Sequence, residues 1–136
     1  MDKFIHVIFN AHSYVRWLVL IFAAIAIFKF TWGWMRTSEF KNVDRTLSFA
    51  LAAFVDLQAL LGLVYFFWTG FNSDGFPRFR FEHGIAMFLA LVCLHFPLFW
   101  KNVESNVRFR NSLFAVLASL ILILFGISTL PGGLSR

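Results

Sequence analysis

The stretch from Leu47 to Thr69 reads LSFALAAFVDLQALLGLVYFFWT and contains a single acidic residue, Asp56, and no basic one. A helix needs about 20 mainly apolar residues to cross the hydrocarbon core of a bilayer, so this stretch is long enough to span it. Three further stretches have the same character: Ala11–Met35, Gly84–Trp100 and Leu113–Leu130. Because period-two alternation is absent, we predict that all four are helices rather than strands of a barrel.

The composition places the chain in a membrane. Its 136 residues are 60% hydrophobic and only 14% charged, and the mean hydropathy is +0.74. Apolar residues make up about half of a typical soluble domain, so this chain has too little polar surface for water. The formal charge of +5 comes without a long basic run, which argues against a nucleic-acid partner and for a lipid bilayer. The single cysteine, Cys93, indicates neither an internal disulfide nor a metal motif.

We predict an all-α integral membrane protein, a four-transmembrane-helix up-down bundle that forms one domain over residues 1–136. Polar connections at 36–46 and 101–112 join the spans. The connection at 70–81 alternates phenylalanine with arginine near its end, and we expect it to lie among the lipid headgroups. Pro97 is expected to kink the third helix.

The basic residues of the connections predict the orientation. Six lysines and arginines lie in the connections at 36–46 and 101–112. The opposite side carries four, which are Lys3, Arg78, Arg80 and Arg136. Because cytoplasmic connections carry the excess of basic residues, we expect both termini on the non-cytoplasmic side of the membrane.

Two histidines lie at similar depth on helices that cross the membrane in the same direction. His12 is near the start of the first span, His83 is at the start of the third, and Arg16 follows His12 by one helical turn. Ionisable groups in a span indicate a functional site by default. Two imidazoles that face each other from neighbouring helices suit the axial positions of haem iron, with Arg16 pairing a haem propionate or Glu82. An interfacial histidine and an arginine that reaches the headgroups explain His12 and Arg16 equally well.

Asp56 lies near the middle of the second span, where a carboxylate must be paired or protonated. His95, in the third span, falls within about one turn of the same depth and is the expected partner. The pair has three interpretations: it orients a ligand imidazole, it relays protons, or it only clamps two helices together.

Two other polar residues, Gln58 and Glu82, are candidates for the same clamp or relay. Gln58 shares one helical face with Gly62 and Tyr65. A small residue lets helices approach closely and an amide forms hydrogen bonds across the approach, so this stripe is expected to serve packing.

Three motifs carry a family resemblance. They are His12-Ser-Tyr-Val-Arg16-Trp17, Leu57-Gln-Ala-Leu-Leu-Gly-Leu-Val-Tyr65, and Glu82-His83 with Met87 and His95. The chain thereby resembles small four-span membrane proteins of Bacteroidota-type bacteria that are labelled cytochrome b-like. The resemblance covers the first three spans and implies haem b, with His12, His83, His95 and Arg16 at its binding site. It departs at Asp56, where the family tends to carry histidine, so a haem here needs His12, His83 or His95.

Three functions remain open. The first is a small b-type cytochrome-like protein that transfers electrons between a quinol and a partner, with haem b held between helices 1 and 3 by His12 and His83. The second is a cofactor-free accessory or structural subunit of a larger respiratory or photosynthetic complex, with other membrane subunits or further copies of the chain as partners. The third is a pigment- or quinone-binding membrane protein. A stand-alone enzyme is not indicated, because the sequence contains no hydrolase motif, zinc motif or phosphate-binding loop.

Overall fold

The computed structural model describes residues 2–135, except for the side chain of Asp74. Four long helices form: α1 (Lys3–Met35), α2 (Asn42–Thr69), α3 (Arg78–His95) and α4 (Ser105–Ser128). Each of them is long and apolar enough to cross a membrane, and no strand occurs within the described residues. The predicted all-α bundle of four spanning helices is therefore confirmed. Arg136, one of the basic residues used for the orientation, lies outside the described residues.

The helices form a ring in which each packs mainly against its neighbours in the chain. α1 lies against α2 and α4, and α3 lies against α4 and α2, so α1 and α3 face each other across the bundle. The expectation that the first and third helices are neighbours is therefore wrong. Short connections place consecutive helices side by side, and this puts the two parallel helices on a diagonal. Side chains of α1 and α3 consequently meet in the bundle interior.

Three helices begin before their apolar stretches. α1 begins eight residues ahead of Ala11, α2 five residues ahead of Leu47, and α4 eight residues ahead of Leu113. Residues at the end of a spanning helix stay helical where they reach headgroups or water, since their backbone hydrogen bonds form within the helix. Hydropathy therefore marks the part of each helix inside the hydrocarbon, and the helix itself is longer.

α3 is shifted from its predicted position. It begins at Arg78, six residues ahead of Gly84, so the alternating arginines and phenylalanines form its first turns rather than part of a connection. It ends at His95, five residues before the predicted end, and a 3₁₀ turn covers Phe96–Phe99. Pro97 has no N–H with which to continue the α-helical bonding, so the helix ends near it instead of kinking.

One end of the bundle is closed by tight contacts. Phe30 of α1 and Phe109 of α4 are 0% and 1% exposed, with ring centroids 6.3 Å apart. A Cβ on Gly33 would lie 2.5 Å from the Phe109 ring, so glycine permits this approach. Beside them, the buried carboxylate of Asp44 in α2 pairs with Lys29 of α1 at 3.0 Å. The opposite end of the bundle is less densely filled.

Candidate functional site

A cavity of about 460 Å³ lies between the four helices, at the end where α1 and α3 begin. This volume falls within the range of about 300–1,000 Å³ that is typical of small-molecule sites. Both histidines singled out in the sequence, His12 and His83, line it together with Gln58 and Arg16. Most of the remaining wall is apolar and includes Val19, Val55, Phe66, Met87, Ile123 and Ile127.

The ring of His12 has a defined orientation and tautomer. Its Nδ1 lies 3.2 Å from the main-chain oxygen of Gln58, and because a carbonyl only accepts, Nδ1 carries the hydrogen and donates it. Its Nε2 lies 3.1 Å from the side-chain Nε2 of Gln58 and accepts a hydrogen bond from that amide. The ring rests on Gly62, where a Cβ would come within 3.0 Å of the His12 Cε1 atom. His12 is thus a neutral imidazole held by α2.

His83 is held in the same tautomer by a different helix. Its Nδ1 lies 2.8 Å from the main-chain oxygen of Gly126 in α4 and donates to it. A histidine that binds a metal nearly always donates its other N–H in this way, to a carbonyl or a carboxylate, which fixes the ring and its basicity. Both His12 and His83 meet that condition.

Two guanidinium groups line the same cavity, each one turn from a histidine. Arg16 donates to the main-chain oxygen of Leu134 at 3.4 Å. Arg80 is buried, and its Nη1 donates to the Thr69 hydroxyl at 2.6 Å and to the Gly75 carbonyl at 3.3 Å. Two positive charges on the wall of an apolar cavity favour a ligand with an anionic group.

The described residues do not satisfy every hydrogen-bonding atom of the Gln58 side chain. Its Oε1 is buried and accepts no hydrogen bond from the described residues. A buried polar atom without a partner calls for an explanation, such as a water or a ligand. The stripe formed by Gln58, Gly62 and Tyr65 makes the expected contact between helices: His12 of α1 lies against Gly62 and bonds to Gln58. The same stripe also lines the cavity.

Asp56 and His95 form the contact expected of them, but outside the cavity. Asp56 Oδ2 lies 3.3 Å from His95 Nε2. The two side chains are 53% and 31% exposed, on the outer surface of α2 and α3, and neither lines the cavity. His95 is therefore not brought to the site with His12 and His83. Whether the Asp56–His95 pair relays protons or clamps helices stays a prediction.

Glu82 also points away from the cavity. Its Oε1 lies 2.7 Å from Nε of Arg78, four residues earlier on the same helix, and both side chains are on the surface. The partner of Glu82 is therefore Arg78 and not Arg16. The reason is that Glu82 lies on the outer face of α3, whereas the next residue, His83, faces the interior of the bundle.

Sequence reasoning missed two groups that belong to the site. The Gly126 carbonyl belongs to the main chain of an apolar span, and the sequence gives no signal for it. Arg80 was counted among the surface cations, although its spacing of three residues from His83 places both on one helical face. That spacing was the available signal.

Comparison with known proteins adds no identification: no family model, curated protein or solved structure matches the chain. The cytochrome b-like resemblance stays a prediction. Within the described residues no group of three or more histidine, cysteine or acidic side chains is placed to hold a metal ion. A pair of histidines suffices only where the metal brings most of its own ligands, as iron does in haem.

Proposed function

We propose that the protein is a small b-type cytochrome of the membrane, which holds haem b between α1 and α3 through His12 and His83 and takes part in electron transfer. One observation carries the proposal. Two imidazoles from diagonal helices line one apolar cavity, and each donates its Nδ1 hydrogen to a main-chain carbonyl. This arrangement supports Nε2 of both rings as iron ligands.

The residues present fit the cofactor. Two neutral imidazoles complete the coordination of an iron that the porphyrin already holds, and bound haem supplies one-electron chemistry. Arg16 and Arg80 contribute positive charge to the wall of the cavity, which suits the anionic propionate groups of haem. Binding at His12 Nε2 requires the Gln58 amide to turn away. The Nδ1 bond survives that turn, because its acceptor is the main chain of residue 58.

The remaining residues orient the ligand and exclude water. Gly62 leaves room for the imidazole ring of His12, and Gly126 lets α3 approach α4 closely. The apolar side chains of the wall keep the site at low dielectric, which sharpens the effect of any nearby charge on a redox group. We further propose that the protein lies in a bacterial inner membrane, as its resemblance to proteins of Bacteroidota-type bacteria implies. Both termini then lie on the non-cytoplasmic side, as the basic connections indicate.

The test is the haem content of single-histidine variants. The chain is purified in detergent from haem-replete cells, and haem per chain is measured for the wild type, His12→Ala and His83→Ala. We expect about one haem per chain in the wild type and a near-complete loss in both variants, because each removes one axial ligand. His6→Ala is the matched control, since His6 is an exposed histidine of α1 that does not line the cavity. Equal haem content in all four proteins would refute the assignment of the ligands.

The cavity opens to the side between α2 and α3. This opening favours a second candidate function, the binding of a quinol. Three residues of α3 line the cavity and are also exposed on the surface that faces lipid: Phe81, Ile85 and Phe88. A lipid-soluble molecule therefore has a route between α2 and α3. In the observed tautomer, Nε2 of each histidine is an acceptor and suits the hydroxyl of a quinol rather than the carbonyl of a quinone. Extraction of a quinone without haem from the purified protein would favour this candidate.

A further inference from the structure

The outer face of α2 carries a regular stripe that no other helix of the chain covers. Its residues are all exposed and follow each other at alternating spacings of four and three: Phe49, Ala53, Asp56, Leu60, Leu63 and Phe67. This is the a/d pattern of a heptad repeat, in which one helix packs against another in left-handed coiled-coil geometry. We call these six residues the α2 seam. Helices in membranes mostly pack with the same left-handed geometry, so the seam is suited to a partner helix.

Asp56 sits in the middle of the α2 seam. It lies fourteen residues after the first residue of α2 and thirteen before the last, about 20 Å from either end. Its side chain is 53% exposed at that depth. Lipid chains offer no hydrogen bonds, and a carboxyl group that faces them is expensive. The exposed face around Asp56 is therefore unsuited to lipid.

The contact with His95 makes the pair neutral but leaves it half exposed. His95 Nδ1 lies 2.9 Å from the Leu91 carbonyl and must carry a hydrogen. The 3.3 Å contact between Nε2 and Asp56 then holds one further proton, on either the nitrogen or the oxygen. The pair is an imidazolium with a carboxylate or an imidazole with a carboxylic acid, and its net charge is zero in both cases. Two such pairs at one depth are able to bond to each other by exchanging partners, with each imidazole sharing its proton with the carboxyl group of the other copy.

We propose that a second copy of this chain covers the α2 seam and forms a parallel two-fold dimer, with Asp56 and His95 of both copies at its centre. Two copies inserted in the same direction are related by an axis along the membrane normal, which places identical residues at identical depth. A second copy therefore brings a polar pair to the level of Asp56 automatically, whereas another membrane protein needs its own polar group there. A single polar residue within an apolar seam also fixes the register of the two helices. The dimer does not depend on haem binding.

The first test is disulfide cross-linking of the full-length chain in native membranes. Ala53→Cys and Leu60→Cys flank Asp56 on the seam and are made in a Cys93→Ser background. Seam positions in a helix pair lie close enough for a disulfide, so oxidation should give a cross-linked dimer of twice the mass. Ile121→Cys on α4 is the matched control, because Ile121 is 68% exposed and Leu60 is 60% exposed. No dimer from either seam variant, equal dimer from the control, or a cross-link to a different chain would overturn the proposal.

The second test separates the polar contact from apolar packing. We expect Asp56→Ala to weaken dimerisation about fivefold, the size of effect that an interhelical hydrogen bond has in membranes. Glu82→Ala removes an exposed acidic residue from α3 and should leave dimerisation unchanged. The readout is energy transfer between labelled chains as they are diluted in lipid vesicles. A dimerisation constant that Asp56→Ala leaves unaltered would contradict the central position of this residue.

Discussion

His83 of α3 donates a 2.8 Å hydrogen bond from Nδ1 to the main-chain oxygen of Gly126 in α4, on the wall of the cavity. The two helices approach this closely because residue 126 has no side chain. A Cβ there would lie 3.0 Å from the Ala86 Cβ and 2.5 Å from the Met87 methyl group. The position of one proposed ligand is therefore set by a glycine on another helix.

Gly126→Ala should lower both haem content and stability. We expect the free energy of unfolding to fall by about 1–2 kcal/mol, because an overpacked contact forces α3 and α4 apart. Haem per chain and chemical unfolding in detergent measure the two effects. Gly84→Ala is the control, since a Cβ on Gly84 meets nothing within 4 Å, and it should keep its haem. Identical behaviour of the two variants would contradict the role of Gly126.

Gln58→Leu should tighten haem binding. The substitution removes the amide that bonds to His12 Nε2 and leaves the main-chain acceptor of Nδ1 in place. Loss of one competing hydrogen bond corresponds to about a two- to tenfold gain in affinity. Titration of the haem-free protein with haem measures it. In a His12→Ala background the same substitution should have no effect. Weaker binding by Gln58→Leu alone would count against His12 Nε2 as a ligand.

Replacement of Lys29 and replacement of Asp44 should lower the free energy of unfolding by different amounts. Lys29→Met leaves a carboxylate that is 1% exposed without its closest cation, and we expect a cost of about 2–3 kcal/mol. Asp44→Asn keeps an acceptor for the Lys41 N–H and leaves a lysine side chain that is 43% exposed. That lysine can extend to the headgroups, so the expected cost is about 1 kcal/mol. Unfolding by denaturant in detergent compares the two variants. The reverse order would show that the pair is not arranged as described.

The depth of a residue in the membrane was predictable from the sequence, but the direction in which its side chain points was not. The rise of 1.5 Å per residue is the same in every helix, so the positions of the apolar stretches sufficed to predict that Asp56 and His95 lie at the same depth. Apolar residues surround each helix, however, and lipid accepts them as readily as the core does. Phe28 is 71% exposed whereas Phe30 is fully buried, although both are phenylalanines of one span. Hydropathy therefore does not tell a core face from a lipid face.

The directions in which the side chains point determine which residues form the site. His12 and His83 were predicted as a pair from their depth, and both line the cavity. The ring order of the helices and the contact of His83 with the Gly126 carbonyl depend on tertiary packing. No single span carries that information.

The absorption spectrum of the purified wild-type protein, recorded oxidised and after reduction with dithionite, tests the central claim most directly. The account predicts an intense Soret band that shifts on reduction and a sharp band in the visible region, as expected for iron with two histidine ligands. A colourless preparation from haem-replete cells, with the helical fold intact, would contradict it.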